Sequence, residues 1–177
     1  MPERSNTVPE GCTTVVPWVV TDATGAFLGF GTEAFGGEEL GRVPTGDGLI
    51  GHGEIRVGDT VVPAFDRHDD WPAVPSPLRV FVADADEALS RAVAAGGRVV
   101  APVTDDAFGQ RGGRVKDPFG NIWWVVDCVE YVSEEERGKR LRDPLHAEDV
   151  RVAREALDVE LGGRRHGRSS APVKATG

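Results

Sequence analysis

The groups able to do chemistry fall on short alternating runs. His52, Glu54 and Arg56 alternate with Gly53, Ile55 and Val57, so on a strand they share one face. An imidazole beside a carboxylate can move a proton, which makes His52 and Glu54 the candidates for acid–base catalysis. A solvated sheet face or a subunit interface would use the same pair without chemistry. Arg79 and Phe81 alternate with Leu78, Val80 and Val82, and Arg114 and Lys116 flank Val115. Trp123 and Trp124 are adjacent, so one faces the core and the other faces away. Guanidinium groups and aromatic rings on one face suit a planar organic ligand. Arg111 and Arg114 could equally pair with Asp105, Asp106 or Asp117. The chain has no GxSxG elbow, no phosphate-binding Walker loop and no dinucleotide fingerprint. Cys12 and Cys128 stand 116 positions apart and form no CxxC pair; with no local activator they are expected to be buried structural thiols at strand ends.

These residues are placed by a repeat. Pro17-Trp18-Val19-Val20-Thr21-Asp22-Ala23 resembles Arg79-Val80-Phe81-Val82-Ala83-Asp84-Ala85, with Asp22 and Asp84 62 positions apart. Each Asp follows an apolar run and precedes a helical stretch that ends in a Gly pair, Gly36-Gly37 or Gly96-Gly97. Gly58-Asp59-Thr60 parallels Gly120-Asn121-Ile122 at the same offset of 62, and Asp66 and Asp127 close the two units. Two copies of one unit follow, each a strand, a helix and three strands. Asp22 and Asp84 are the expected N-caps, and the double glycines the expected helix stops. The strands are expected at 38–44, 48–57 and 60–66 in the first copy, and at 98–104, 112–117 and 121–128 in the second. Gly58-Asp59 marks a tight hairpin, and Asp117-Pro118-Phe119-Gly120-Asn121 a longer turn.

The expected organisation is an N-terminal extension at 1–12, paired units at 13–67 and 76–130 with a Pro-bearing linker at 68–75, a helical extension at 131–161 and a disordered basic tail at 162–177. Ser133 with Glu136 is a capping box, and Val150, Ala153, Leu157 and Leu161 form one helical stripe. Trp71 is expected to staple the units or to form a lid.

The 177 residues carry 20 Lys+Arg against 29 Asp+Glu, a net charge of −9. Residues 1–136 hold 10 and 23, a net −13, and residues 137–177 hold 10 and 6, a net +4. An acidic body suits neither a phosphate backbone nor an anionic membrane surface, and favours cationic small molecules. No apolar run approaches the ~20 residues that span a bilayer, and Met1 to Glu10 shows no secretory pattern. A cytoplasmic location is the default expectation. A chain of this length builds its own core without disulfides or structural metal.

Thr14 to Ala23, Glu33-Ala34-Phe35-Gly36-Gly37, Gly109 to Val115 and Asp117 to Trp123 together resemble the vicinal oxygen chelate superfamily, the group of glyoxalase I, bleomycin resistance proteins and extradiol dioxygenases. The resemblance spans about residues 13–130. It implies an α+β fold of two βαβββ modules in a curved mixed sheet around a cleft, followed here by C-terminal helices. It also implies a homodimer, often with modules exchanged between chains. Metal enzymes of the family place one ligand on the first and one on the last strand of each module. The matching positions are Val15, Pro63, Pro77 and Trp124, and none offers a side chain that binds a divalent ion. No metal and no cofactor are therefore expected.

With Pro77 facing the implied cleft, strand alternation puts His52, Glu54, Arg56, Phe65, Arg79, Phe81, Arg114, Lys116 and Trp124 on its walls. The reading that follows is a metal-independent small-molecule binding protein, sequestering an aromatic or cationic antibiotic. The alternative is a glyoxalase-like lyase, isomerase or dioxygenase using His52 and Glu54.

Overall fold

The computed structural model describes residues 8–9 and 12–162. The expected tail beyond Gly162 and most of the N-terminal extension lie outside these residues. The chain runs β1 (Val19–Thr21), α1 (Thr24–Phe35), β2 (Glu38–Pro44), β3 (Ile50–Val57), β4 (Thr60–Asp66), then β5 (Pro77–Phe81), α2 (Ala85–Ala94), β6 (Arg98–Asp105), β7 (Gln110–Lys116) and β8 (Ile122–Cys128). The repeat is thus two βαβββ modules, an α+β arrangement. Two helices follow, α3 (Glu134–Arg140) and α4 (Pro144–Glu160). No helix among the described residues is long and apolar enough to cross a membrane.

Each module forms its own four-stranded sheet, in the orders β1-β4-β3-β2 and β5-β8-β7-β6. The first strand of each pairs in parallel with the last, with Val19 opposite Ala64 and Arg79 opposite Trp124. The remaining pairs are antiparallel. The helices pack against each other and on their own sheets. One core therefore lies between the sheets, built from Phe27, Leu28, Phe30 and Ala34 of α1, Ala88 and Ala92 of α2, and Ile55, Val62, Val115, Trp123 and Val125 of the strands. Phe27 stacks on Trp123 at 6.1 Å and meets Phe119 edge-on at 6.2 Å, which joins the modules. The outer sheet faces point away from this core.

Two glycines are demanded by geometry. Gly36 ends α1 at φ 68°, a left-handed conformation that Gly adopts without strain. At Gly31 a Cβ would lie 2.6 Å from Ile55 Cδ1, so its absence lets α1 sit close on β3.

The helix starts differ from expectation in one respect. Asp84 does cap α2, accepting the Glu87 N–H at 2.8 Å. Asp22 does not cap α1: Ala23 holds the cap position, and the Asp22 carboxylate turns to Arg67 at 2.6 Å. Asp66 supplies the missing acceptor from the end of β4, taking the Thr24 N–H at 2.7 Å and the Ile50 N–H at 2.7 Å. Asp127 does the same in the second module, accepting the Ala85 N–H at 2.9 Å. Each module is thus tied shut by the Asp of its last strand.

Burial raises the Asp66 carboxyl, but the backbone N–H bonds from Ile50 and Thr24 outweigh it and hold it below the ordinary value. Its stabilisation is therefore full above the ordinary carboxylate pKa and is lost as pH falls through the lowered folded value. Asp66→Asn, which turns one acceptor into a donor, is expected to cost about 2 kcal/mol at neutral pH. In urea titrations the gap to wild type should close below pH 4 (about the ordinary Asp value); a gap independent of pH would refute the role.

Candidate functional site

Alternation along β5, β7 and β8 places a row of side chains on the outer face of the second sheet. Arg79 lies opposite Trp124, which lies opposite Arg114, which lies opposite Ala101. The Arg79 guanidinium stands 4.1 Å from the Trp124 ring centre and that of Arg114 5.1 Å. Arg79 also lies 4.7 Å from the Phe81 ring. Cation–π contact holds both guanidiniums in place.

Helix α4 lies against β6. Ser133 caps α3, accepting the Glu136 N–H at 3.2 Å, and the chain then turns into α4. At its far end Glu160 pairs with Arg98 at 2.6 Å and Lys116 at 3.3 Å. Midway, Arg114 donates to the Ala153 carbonyl at 2.8 Å. Between helix and sheet is a cavity of about 530 Å³, within the range that holds a drug-sized molecule. The sheet side carries Arg79, Arg114, Trp124 and Val126, and the turn before β7 adds Phe108. His146, Val150, Ala153 and Leu157 line it from α4, so three members of the helical stripe read from the sequence form a wall. Burial pushes the Arg114 guanidinium down from its ordinary value.

Of the residues expected on one cleft, Arg79, Arg114 and Trp124 line this cavity; Phe81 sits beside Arg79 and is 59% exposed. Lys116 is drawn to Glu160 instead. His52, Glu54, Arg56 and Phe65 belong to the first sheet, so one chain does not bring the two groups together. His52 Nε2 is 3.0 Å from Glu54 Oε1 on that sheet, and Arg56 pairs with Glu38 at 3.2 Å. Phe65 stacks on Trp18 at 4.9 Å and meets Trp71 edge-on. Trp71, in the linker, therefore packs on the first module, against Phe65 and the neighbouring His68.

Other residues settle into structural roles. Trp123 is the buried member of the Trp pair. Arg111 holds Asp86 at 2.7 Å and Asp105 at 3.0 Å; the partner on α2 was beyond sequence reasoning. Asp117 accepts from the backbone N–H groups of Phe119 and Asn121, from Asn121 Nδ2 and from Trp123 Nε1, at 2.8 to 3.0 Å. The expectation of buried thiols is corrected: Cys128, ending β8, is exposed, and Cys12 is half-buried and outside any strand.

Of the four positions matched to the family's metal ligands, Pro63 lies on the first sheet and Pro77 and Trp124 on the second, while Val15 precedes β1 and lies outside any strand. Their side chains do not fit a divalent ion. Among the described residues no group of three His, Cys, Asp or Glu side chains is placed to hold one.

Comparison with known proteins agrees with this architecture. Residues 15–125 match the family model of the Glyoxalase/Bleomycin resistance protein/Dioxygenase superfamily; α4 lies beyond the matched stretch. An uncharacterized protein of Mycobacterium bovis is 33% identical over 135 residues, covering 68% of this chain and 86% of that protein. Among solved structures, TioX from Micromonospora sp. ML1 superposes with a TM-score of 0.55 at 24% identity, covering 66% of this chain and 98% of TioX. Protein PA1353 from Pseudomonas aeruginosa gives 0.56 at 23% identity, covering 65% and 97%. With two βαβββ modules and a matching sequence across most of both, the chain belongs to the glyoxalase/bleomycin resistance protein/dioxygenase superfamily.

Proposed function

We propose that the protein binds a planar aromatic small molecule without metal or cofactor, in the cavity between the second sheet and α4, and that it acts as a homodimer in the cytoplasm. The observation that carries this reading is the cavity itself: about 530 Å³, apolar on most sides, with Trp124 held between two guanidiniums. In this reading the mechanism is stoichiometric binding. Sequestration of an aromatic antibiotic is one form of it. A cationic antibiotic fits less well, because two arginines flank the ring it would approach. The dimer is supported by large apolar side chains left outside the core, Val15 at 81% exposure and Trp18 at 59%, which a second copy would cover; sedimentation equilibrium measures it.

The test is calorimetry with naphthalene-2-carboxamide, a neutral bicyclic probe. Trp124→Ala is expected to weaken binding by roughly tenfold, the scale of a lost aromatic contact, and excess chelator to leave it unchanged. Unaltered affinity in the variant, or no binding by wild type, would remove the reading.

A second reading has one observation in its favour, the 3.0 Å contact of His52 with Glu54, a pair able to move a proton. Stoichiometric metal in the purified protein, lost on His52→Ala, would bring it forward.

A further inference from the structure

Resting on the cavity reading above, the structure assigns the charge of the occupant: we infer that the cavity takes an organic anion, an aromatic carboxylate, bound by Arg79 and Arg114. The chain is acidic, and its arginines ordinarily find carboxylates: Arg42 holds Glu39, Arg67 holds Asp22, Arg91 holds Glu87, Arg98 holds Glu160 and Arg111 holds two aspartates. Among the described residues, the two arginines beside Trp124 do not. Arg79 donates to the Gln110 side-chain carbonyl at 2.5 Å and Arg114 to the Ala153 carbonyl at 2.8 Å. Both acceptors are neutral. Each guanidinium has five N–H donors, so most remain for a ligand. Removing a cation from water without a counter-charge is unfavourable, and Arg114 is half-buried under α4. A carboxylate in the cavity would supply that counter-charge through short, charge-assisted hydrogen bonds.

The other charged groups on the walls leave this assignment intact. Asp105 is paired with Arg111. Asp106 accepts the Phe108 and Gln110 N–H groups at 2.8 and 3.0 Å, which fixes it in the turn before β7. Asp149 and Arg154, both on α4, bring opposite charges to the lining. His146, on the same wall, has a buried Nδ1 with no hydrogen-bond partner among the described residues, a further polar atom for a ligand to satisfy. The apolar remainder, Ala101, Pro102, Phe108, Val126, Val150 and Leu157, receives the ring.

Three probes with one ring system test the charge: naphthalene-2-carboxylate, naphthalene-2-carboxamide and 2-naphthylmethylammonium, each titrated calorimetrically into the full chain. The carboxylate is expected to bind at least about tenfold tighter than the amide, the scale of a charge-assisted hydrogen bond, and the ammonium most weakly. Arg79→Gln, at an exposed position, should erase most of the carboxylate's advantage over the amide, read as the ratio of the two affinities within the variant. Arg114→Gln should do the same. Equal affinity for amide and carboxylate overturns the anion assignment while the cavity reading stands. Preference for the ammonium overturns it as well. Absence of heat with all three overturns both.

Discussion

Phe27→Ala is expected to lower the stability of the protein by about 4 kcal/mol, and its Tm by roughly 8–16 °C for a domain of this size. Phe27 is fully buried and is the ring through which α1 of the first module reaches Trp123 and Phe119 of the second. Truncation removes its own buried surface and leaves a void that neither module can fill alone. Differential scanning calorimetry reads the effect. Phe81→Ala is the control: Phe81 is 59% exposed and should cost less than about 0.5 kcal/mol. If the two variants melt together, the shared core described above is not what holds the modules to each other.

Asp117→Ala is the second large effect, expected at about 3 kcal/mol. The carboxylate is 3% exposed and accepts four N–H groups, among them the indole of Trp123, itself part of the shared core. Alanine leaves those donors buried without an acceptor. Asparagine keeps an oxygen on one side and sets an amide N–H₂ against donors on the other, so it should fall between alanine and wild type. Burial raises the Asp117 carboxyl above its ordinary value, against the pull of the Trp123 and Asn121 bonds. The folded state then holds the proton more tightly than the unfolded state. Stability from this group is greatest at acid pH and declines as pH rises through the window between the two values. The cost of Asp117→Ala should accordingly grow on acidification, opposite to the behaviour expected at Asp66. Urea midpoints from pH 3 to pH 7 (roughly the span around a raised carboxyl) would separate the two residues; a cost that shrinks toward acid would contradict the assignment.

The modules were legible because their signals are local and doubled. Asp22 and Asp84, and Gly58 and Gly120, recur at an offset of 62 and the glycine pairs at 60, and a duplicated pattern carries over into duplicated structure. The α1 cap was misread for a physical reason. Asp22 has the right residue type in the right place, but Arg67 competes for it, and Asp66 approaches from 42 residues away, a contact no local rule describes. The site divides in the same way. Alternation, anchored on Pro77 facing the cleft that the resemblance implies, placed Arg79, Arg114 and Trp124 on one face, because side-chain period on a strand is a local property. The stripe of Val150, Ala153 and Leu157 announced a helix with something to cover. What it covers depends on the path through α3 and on the ion pairs of Glu160 with Arg98 and Lys116, which are tertiary. His52 and Arg79 were assigned to one cleft because module pairing, unlike strand alternation, leaves no periodic trace in the residues.

The parallel closure of each module, with Val19 beside Ala64 and Asp66 on the first turn of α1, bears on the order of events during synthesis. The first half can close its own ring once β4 has left the ribosome. Its aromatic face cannot be finished then, because Trp123, the partner of Phe27, is made 96 residues after it. At cellular elongation rates the interval is on the order of 10 s. Throughout it the nascent half presents Phe27 and Phe30 uncovered, a surface that holding chaperones recognise and that a neighbouring nascent chain could capture.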